Sequence, residues 1–568
     1  MKLSEDLLLF VTVTNSFGYV SLHVIIITYT PIGYYNPSRT FQCGSILLEF
    51  IFWLNAEVLV NLSKRGAIMP VQNGRGNLEP IGRRRFLRQV GLAGVGGAIA
   101  SACGPSKVLS QGIEPATLAS PRTRLRSKVT NGRTAMYLYT LGGKIGNEYS
   151  QNQIATVAKK YDLLTWVYAN SGIPQAAHRA NPDVIVTQYF DLTWVGSYEQ
   201  APGQPWMPVP WDYVNSHESF FSHSSAQGSI ANRIPNPIFG YGPNTHPTMK
   251  TNDPTGQPHE WLANPFDFDK SNPESMDHWV NYFANSAKSI IEKATMDGIM
   301  MDEVELPYGA SPFGYSSQSW FAQLDQNLAF IRERLGPDKV LFANGIFGDA
   351  IPDLLNPNQG FPHGSTWPSN DINFLTWCDG LQVELFVTSY AGPQIWPQLF
   401  WEGVCQICMD IDAGGGITLA QAPILAEDPQ VRMFVLTSFH LVKGTHSYLS
   451  HRGGPPLPWF PEWSISIGVP SETKADIQDY LVPTHGTGMI SSSKGVVYAR
   501  HFSNGLAIAN PSGSPSSITL NHPGYKIIPV GGGWIEKNGL LPKGKIKHEL
   551  VSNLELAPQS GALVQYRI

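Results

Sequence analysis

Residues 297–303 read Asp-Gly-Ile-Met-Met-Asp-Glu, a short apolar run that ends on acidic side chains. Successive side chains of a β-strand point to opposite faces, so Ile299 and Met301 share one face while Met300 and Asp302 share the other. A run of this kind is typical of a parallel strand that is buried on both faces. We therefore predict a barrel strand that points Ile299 and Met301 at surrounding helices and holds Asp302 at its carboxyl end, facing the barrel axis.

From Thr134 onward, short β-like runs alternate with amphipathic helical stretches, as in βα units around a parallel sheet. The predicted strands are Ala135–Thr140, Leu163–Tyr168, Val184–Phe190, Gly298–Asp302, Val340–Asn344, Gly380–Val387, Gly416–Ala420 and Thr445–Leu449. The predicted helices are Ser150–Lys160, Pro273–Thr295, Ser317–Leu335, Pro393–Asp410 and Pro429–Val442. Eight strands with intervening helices predict an α/β fold, a closed (β/α)8 TIM barrel over residues 131–455.

The pattern changes after Pro483 to short alternating runs that are separated by Gly, Asn and Pro. These runs are Val496–Phe502, Leu506–Asn510, Ser517–Leu520, Lys526–Pro529 and Ala562–Tyr566. Alternation of this kind with turn residues between the runs is typical of antiparallel strands. We predict a small C-terminal antiparallel β-sandwich over residues 483–568, joined to the barrel by a linker over residues 456–482.

A basic motif precedes the barrel. Arg83–Arg88 read Arg-Arg-Arg-Phe-Leu-Arg and are followed by a Gly- and Ala-rich run over residues 90–102. This pattern resembles a twin-arginine export signal, whereas a bilayer span needs about 20 apolar residues. We predict a signal peptide over residues 69–103, a flexible linker over residues 104–130, the twin-arginine translocation machinery as a partner, and a periplasmic, cell-envelope or extracellular destination.

Residues 1–68 are unusual, because an export signal normally stands near the start of its protein. Either their apolar stretches are membrane segments, or the reading frame is extended and synthesis begins at Met69; we favour Met69. Cys103 follows Ile-Ala-Ser-Ala, which resembles a bacterial lipobox except that Ala100 stands where Leu is usual. Cys103 is therefore a candidate lipid-attachment site, and the alternative is a soluble cleavage site.

Composition narrows the class of partner. Charged residues make up 15% and aromatic residues 11% of the chain, and the net charge is -5. This balance offers no broad basic face for nucleic acid and suits a neutral substrate such as a sugar. Cys405 and Cys408 have CxxC spacing, but without a second CxxC or a nearby His pair we interpret them as buried helix cysteines. We predict no metal and no cofactor; a metal-dependent hydrolase ranks last because no HxH or HExxH pair follows a strand.

A second acid is predicted to face the barrel axis. Residues 380–387 read Gly-Leu-Gln-Val-Glu-Leu-Phe-Val, and their alternation turns Gln382 and Glu384 inward. Asp302 and Glu384 should then approach one another at the carboxyl face, where barrel active sites lie. Glycoside hydrolysis requires such a pair of carboxyls. The alternative is that each acid neutralises a basic side chain or caps a helix.

Several of these elements together carry a resemblance to a known group of proteins. They are the Asp-Gly-Ile-x-x-Asp run at strand four, Asn344-Gly345, residues 380–384, and the Tyr-x-Arg-x-Phe-x-x-Gly element at residues 498–505. From Thr134 to Ile568 the chain resembles the glycoside hydrolase-like families of uncharacterised barrel proteins and, more distantly, the endo-polygalactosaminidase-like barrels. The resemblance implies a hydrolase of a polysaccharide or glycoconjugate, with Asp302 as nucleophile and Glu384 as acid/base. A non-catalytic glycan-binding envelope lipoprotein on the same barrel is the alternative function.

Further polar and aromatic residues near strand ends are candidates for contact with a carbohydrate. The connection over residues 193–272 is long and rich in Trp, Pro, His and Asn, so we expect it to wall the cleft. The candidate substrate-binding residues are Tyr139, Trp166, Tyr168, Gln188, Asn264, Glu303, Asn344, His446 and Tyr448. Asn344 is the best placed of them, since an amide at the carboxyl end of a strand can bond a sugar hydroxyl.

The export prediction can be tested by cell fractionation. Arg83→Lys combined with Arg84→Lys should trap the chain inside the cell, while a chain that starts at Met69 should be exported as well as the full reading frame. In the same experiment, Cys103→Ser should release the mature chain from the membrane fraction. Unchanged export of the double variant would overturn the twin-arginine prediction, and a parent chain that is already soluble would overturn lipid attachment.

Overall fold

A computed structural model describes residues 7–16, 19–29, 45–55, 119–130, 132–139, 144–196, 211–223, 233–234, 260–302, 304, 317–344, 371–388, 395–422, 428–451, 456–483 and 490–567. The chain divides into two units, residues 1–112 and residues 113–568.

The first unit contains, in its described part, three antiparallel strands that pair in the order β1-β2-β3. They are β1 Leu7–Ser16, β2 Tyr19–Tyr29 and β3 Ser45–Asn55. The predicted export signal, Met69 and Cys103 lie outside the described residues. Among the helices that the structure describes, none is both long enough and apolar enough to cross a bilayer. Export, start site and lipid attachment therefore stay predictions.

The second unit is built, within its described residues, around eight parallel strands. They are β4 Tyr137–Leu138, β5 Leu163–Val167, β6 Ile185–Asp191, β9 Gly298–Asp302, β10 Val340–Asn344, β11 Gly380–Val383, β12 Ile417–Ala422 and β13 Ser447–His451. Each strand pairs with the next in that order, and a parallel bridge between Met136 and Leu449 joins the first strand to the last. The sheet is a nearly closed parallel barrel, which confirms the predicted TIM-barrel class.

Helices connect the strands. They are α1 Pro121–Ser127, α2 Gln151–Lys160, α3 Ile173–Ala180, α4 Trp211–Asn215, α5 Trp279–Lys293, α6 Ser317–Leu335, α7 Gln398–Ala413 and α8 Pro429–Val442. The helices α6 and α8 have their predicted bounds. The helix predicted over residues 273–295 begins only at Trp279, because the carboxylate of Asp267 accepts the Trp279 N–H at 2.9 Å and so caps the helix there. Within the long third connection, the short strands β7 Trp194–Gly196 and β8 Glu260–Leu262 pair antiparallel.

The two faces of β9 are buried in different places, as alternation predicts. Met300 belongs to a buried cluster that fills the barrel interior together with Phe342 and Leu419. Ile299 and Met301 belong to the larger apolar cluster between the strands and the surrounding helices. This division of side chains is what turns Asp302 toward the barrel axis.

Two Asp-Gly pairs, Asp297-Gly298 and Asp379-Gly380, stand at the amino ends of β9 and β11. Each aspartate accepts a backbone N–H from the neighbouring strand on one side, at 2.8 and 3.0 Å. Each glycine lies so close to the neighbouring strand on the other side that a Cβ would come within 1.9 or 2.2 Å of a backbone carbonyl oxygen. The same local device therefore fixes both strands that lead to the predicted acids.

The carboxylate of Asp379 is fully buried and, among the described residues, is paired with three arginines. Arg122 and Arg126 come from α1, at 2.6 and 3.3 Å, and Arg332 comes from α6 at 2.8 Å. Multiple charge-assisted hydrogen bonds offset the cost of burying a carboxylate. The helix α1 is thus attached to the barrel, although the sequence predicts a linker over residues 104–130.

An antiparallel sheet follows the barrel. Its part of the chain contains β14 Pro458–Trp459, β15 Ile490–Lys494, β16 Tyr498–Phe502, β17 Gly505–Asn510, β18 Ser516–Gly531, β19 Gly533–Trp534, β20 Gly544–Leu556 and β21 Ser560–Gln565. Within residues 490–567, six of these strands pair in the order β15-β18-β21-β17-β16, with β20 also paired to β18. The antiparallel C-terminal sheet confirms the predicted strand type, and the two-sheet sandwich stays a prediction. The strand β14 lies in the predicted linker and pairs with β19.

The Tyr-x-Arg-x-Phe-x-x-Gly element at residues 498–505 attaches this sheet to the barrel. Arg500 donates to the carbonyl oxygens of Leu441 at 3.1 Å and Lys443 at 2.7 Å, at the carboxyl end of α8. These carbonyls have no partner within the helix, and a cation there also complements the helix dipole. The hydroxyl of Tyr498 donates to Glu402 on α7 at 2.6 Å. The element therefore acts in the structure of the second unit and stands apart from the predicted acids.

Replacement of Asp379 by asparagine should destabilise the second unit by about 2 kcal/mol or more, because it removes the fully buried charge that pairs with the largely buried Arg332 and with the part-exposed Arg122 and Arg126. Urea unfolding followed by circular dichroism measures the change. Glu333→Gln, an exposed acid on α6, is the control and should change stability by less than about 0.5 kcal/mol. An Asp379→Asn variant as stable as the control would contradict this role.

Candidate active site

The two predicted acids stand at the carboxyl face of the barrel, on either side of β10. Asp302 is the last residue of β9 and is buried. Glu384 follows β11 directly, in a turn, and is partly buried. The strand predicted over residues 380–387 stops before Glu384, because Leu385 and Val387 have positive φ angles of 61° and 53°, which a β-ladder cannot continue. The turn holds the Glu384 carboxyl over the barrel interior.

Asn344, the last residue of β10, lies between the two acids. Its Nδ2 donates to Asp302 Oδ1 at 2.6 Å and also to Glu384 Oε2. An amide nitrogen carries two hydrogens, and both are used here. Two hydrogen bonds of ordinary length that meet at one nitrogen keep their acceptor oxygens within about 6 Å of one another. The two carboxyls therefore lie as close together as the sequence predicts.

A second donor binds Asp302 from the other side. The hydroxyl of Tyr189, on β6, donates to Asp302 Oδ2 at 2.6 Å. Burial and the nearby charges of Asp302 and Asp191 raise the pKa of Tyr189 well above its usual value, so the hydroxyl keeps its proton. Both oxygens of Asp302 are thus hydrogen-bonded. Tyr189 is not among the predicted site residues, although alternation from Ile185 through Thr187 turns its side chain inward.

Glu384 differs from Asp302 in its electrostatic surroundings. Burial and, second, the nearby charge of Asp302 together raise the pKa of Glu384 from 4.5 to about 8, although the hydrogen bond from Asn344 opposes the shift. Two carboxyls this close cannot both ionise easily, so the pair keeps one proton near neutral pH. That proton rests on Glu384, because Asp302 already accepts two donors that favour its charged form.

Aromatic rings lie beside the acids. Trp166 turns inward through an irregularity in β5, where pairing with β6 slips between Leu164 and Val167 and Trp166 adopts a φ of 53°. A bulge of this kind re-aims a side chain. The Trp166 ring stacks on Tyr189, with centroids 4.0 Å apart and planes at 10°, and meets Tyr139 edge-on at 5.0 Å. These rings form one side of the site.

The barrel strands from β9 onward lie within a region of known similarity. Residues 232–506 match the model of hypothetical glycosyl hydrolase family 15. The matched segment contains Asp302, Asn344 and Glu384, so the chain resembles a glycosyl hydrolase family over the strands that carry the acid pair. Tyr139, Trp166 and the other residues before position 232 lie outside the match.

Among solved structures, the isomalto-dextranase of Arthrobacter globiformis T6, complexed with panose, is similar to this chain with a TM-score of 0.34 and 11% identity, over 80% of this chain and 76% of that one. Comparison with curated protein sequences gives no match.

Two predicted amides serve the backbone. Gln188 lies on the outer face of β6, because its neighbours in the strand occupy the inner face, and its Oε1 accepts the Ala169 N–H at 2.8 Å. The prediction that Gln188 lines the cleft is therefore wrong. Asn264 Nδ2 donates to Ser219 O at 3.1 Å within the long third connection. Neither amide bonds the acid pair among the described contacts.

Two predicted residues of β13 lie toward the amino end of the barrel. His446 precedes the strand, and its Nδ1 lies 3.0 Å from Lys128 O. Tyr448 is buried inside the barrel, where Asp162 and Arg133 are the charges that act on its hydroxyl. Both residues are thus far along the strand from its carboxyl end, and the structure does not place them with the acids.

The remaining candidates are Tyr139, Tyr168 and Glu303. Tyr139 and Tyr168 are buried in the same interior cluster as Trp166. Burial and the charges of Glu384 and Asp302 raise the pKa of Tyr139 well above its usual value, which places it close to both acids. Glu303 lies outside the described residues.

A polar layer lies beneath the acids; the sequence predicts that Gln382 faces inward, and Gln421 is not among the predicted residues. Gln382 on β11 donates to Gln421 Oε1 on β12 at 2.9 Å, and its own Oε1 accepts the Tyr137 hydroxyl at 3.4 Å. Gln421 is fully buried. Alternation from Ile417 and Leu419 turns Gln421 inward, and this signal could have identified it. The layer supports the strand ends from below.

The CxxC pair shows no ligand set. Cys405 and Cys408 are buried in α7, and burial raises the pKa of both thiols. Within the part of the chain that the structure describes, no group of three His, Cys, Asp or Glu side chains could hold a metal ion.

The buried proton of Glu384 should be visible in the pH dependence of stability. A carboxyl with a folded pKa of about 8 and an ordinary value of 4.5 binds more protons in the folded state between those limits. Its stabilising contribution is therefore full below about pH 4.5 and is lost as the pH rises through about 8. Relative to Glu384→Gln, the parent should lose a few kcal/mol of unfolding free energy between about pH 5 and pH 8.

Urea titrations of both proteins at several pH values measure this difference. Asp183→Asn, which replaces an exposed acid at the amino end of the barrel, should follow the parent at every pH. Parallel curves for the parent and Glu384→Gln would show that Glu384 does not hold a buried proton.

Proposed function

We propose that this protein is a glycoside hydrolase that cleaves a polysaccharide or glycoconjugate with Asp302 as nucleophile and Glu384 as acid/base. The observation that carries the proposal is the acid pair itself. The carboxyls of Asp302 and Glu384 both accept from the amide nitrogen of Asn344 at the carboxyl face of the barrel. The pKa of Glu384 is raised to about 8. The family match over residues 232–506 supports the same class of reaction.

The chemistry follows from the protonation of the pair. Glu384 holds the proton that a departing glycosidic oxygen needs, and Asp302 is the carboxylate that can attack the anomeric carbon. The bond from that carbon to the leaving oxygen breaks as the bond to the Asp302 oxygen forms. Glu384, now ionised, then takes a proton from water, whose oxygen displaces Asp302 and releases the sugar. The proton on Glu384 is restored at the end of the cycle.

The spacing favours retention of anomeric configuration. Retaining enzymes have carboxyl groups about 5–5.5 Å apart, whereas inverting enzymes need about 6.5–9.5 Å to admit a water molecule. The shared amide of Asn344 holds one oxygen of each acid within hydrogen-bonding reach of the same atom. A water molecule between the acids would have to displace this bridge. We therefore propose a covalent glycosyl-enzyme intermediate on Asp302.

A non-catalytic glycan-binding role would leave the acid pair without a purpose, because binding of a neutral sugar does not require a protonated carboxyl beside an ionised one. We also propose that the chain is exported by the twin-arginine route and tethered through Cys103. The motif at Arg83–Arg88 and the lipobox-like residues before Cys103 support this location. A cell-envelope location would bring the enzyme to extracellular glycans.

Kinetics with activated aryl glycosides should separate the two roles. Asp302→Asn should lower kcat/KM by about 1000-fold or more, because no covalent intermediate can form. Glu384→Gln should keep a fast first step with a dinitrophenyl leaving group, which needs little protonation, and should lose about 10²–10⁴-fold with an unactivated glycan. Azide should rescue Glu384→Ala with a product of retained configuration and Asp302→Ala with a product of inverted configuration.

The exposed-acid variant Asp183→Asn serves as the control and should keep parental rates. Exchange of the two behaviours would swap the roles but keep the site. Drops of less than about tenfold in both variants would show that neither acid takes part in the reaction.

A further inference from the structure

The nucleophilic oxygen atoms of Asp302 are held by two donors that come from different strands. Asn344 binds Oδ1 and Tyr189 binds Oδ2, each at 2.6 Å. Two bonds on opposite oxygens fix both torsions of the side chain, whereas one bond would leave the carboxyl free to swing. Asn344 also donates to Glu384, whereas the Tyr189 hydroxyl donates its one hydrogen to Asp302.

The ring of Tyr189 is itself held in place. The Trp166 ring covers it at a centroid distance of 4.0 Å with the planes nearly parallel, and Tyr139 meets Trp166 edge-on. Trp166 reaches this position only through its positive φ of 53° in the bulge of β5. Local backbone strain of this kind persists only where the surroundings enforce it. The strain here places one aromatic ring upon another.

Contact of Trp166 with a carbohydrate stays a prediction, and the surroundings of the ring favour a second role. A tryptophan that stacks on a sugar needs an uncovered face, and one face of Trp166 is occupied by Tyr189. The side chain is also only 9% exposed. Support of Tyr189 therefore explains its position better than contact with the substrate does.

We propose that Tyr189 and Trp166 are positioning residues: Trp166 clamps the Tyr189 ring, and the Tyr189 hydroxyl holds Asp302 ionised and in the orientation from which it attacks. The inference rests on the proposed glycoside hydrolase function and adds to it the group that controls the nucleophile. No bond to Tyr189 or Trp166 forms or breaks in the reaction.

The pH dependence of the reaction follows from the groups that face Asp302. Within the described part of the chain they include Tyr139 from the end of β4, Tyr189 and Asp191 from β6, and Glu384 after β11; Asn344 is neutral. A hydrogen bond to an ionised carboxylate favours the ionised form. Loss of the Tyr189 hydroxyl should therefore make Asp302 easier to protonate, so that activity is lost at a higher pH on the acidic side.

The test is the pH profile of kcat/KM for an aryl glycoside that the parent cleaves. Tyr189→Phe removes one oxygen and keeps the ring stack. We expect its acidic limb to move up by about one pH unit or more, its alkaline limb to stay within about half a unit of the parent's, and kcat to fall about 10- to 100-fold. Trp166→Phe should shift the same limb in the same direction by a smaller amount.

A matched control is available inside the barrel. Tyr137→Phe removes a buried hydroxyl that donates to Gln382 Oε1 at 3.4 Å and not to either acid, so it should leave both limbs in place. The split between kcat and KM is the second readout. Positioning residues that do not touch the substrate should lower kcat with KM changed by less than about threefold, whereas loss of a sugar platform at Trp166 would raise KM.

The outcomes separate this inference from the proposed function. Full activity in Asp302→Asn would overturn the function and the inference together. An inactive Asp302→Asn beside a Tyr189→Phe with the parental acidic limb would overturn the inference alone. Tyr189→Phe decides the question even if substitution of Trp166 prevents folding, and a rise in KM without a limb shift in Trp166→Phe would assign Trp166 to the substrate.

Discussion

The site depends on the electrostatic repulsion between two close carboxyls. Two carboxyls that reach the same amide nitrogen, in a partly buried setting, cannot both be ionised without a large electrostatic cost. Asp302 and Glu384 are in this position because Asn344 lies between them. The pair therefore keeps one proton near neutral pH, and the surrounding hydrogen-bond donors determine which carboxyl carries it. The proposed division into an acid and a carboxylate requires this protonation state before substrate binds.

The residues that hold the barrel together lie at its amino end, and the proposed catalytic acids lie at its carboxyl end. At the amino end, Asp297 and Asp379 bind backbone and arginines, and the glycines after them let the neighbouring strands approach. Positive φ angles occur at Trp166, Leu385 and Val387 at the carboxyl end, and also at Thr295 before β9. Strain of this kind concentrates at functional sites, where stable surroundings can enforce it. The ion clusters at the amino end belong to those surroundings.

Alternation in the sequence predicted much of this arrangement, since it assigned the inner and outer faces of β9 and β11 from apolar residues alone. It failed where the period is broken or was not applied. A bulge without a local sequence signal turns Trp166 inward. Gln188 faces outward because its neighbours in the strand face inward. The strand to which a residue is assigned does not fix its position along the barrel axis; His446 precedes β13 and so lies at the amino end. Hydrogen bonds across strands, like that of Tyr189, leave no trace in a single strand's pattern.

The asymmetry between the acids follows from their donors and not from their chemical type. An Asp and a Glu have similar ordinary pKa values, so the residue types assign neither role. Asp302 ends a regular strand, where neighbouring strands bring one donor to each of its oxygens. Glu384 stands beyond the end of β11, where the ladder has stopped and Asn344 is its bonded donor. In the proposed mechanism the carboxyl with two donors bears the charge and the other keeps the proton, because β11 ends one residue before Glu384.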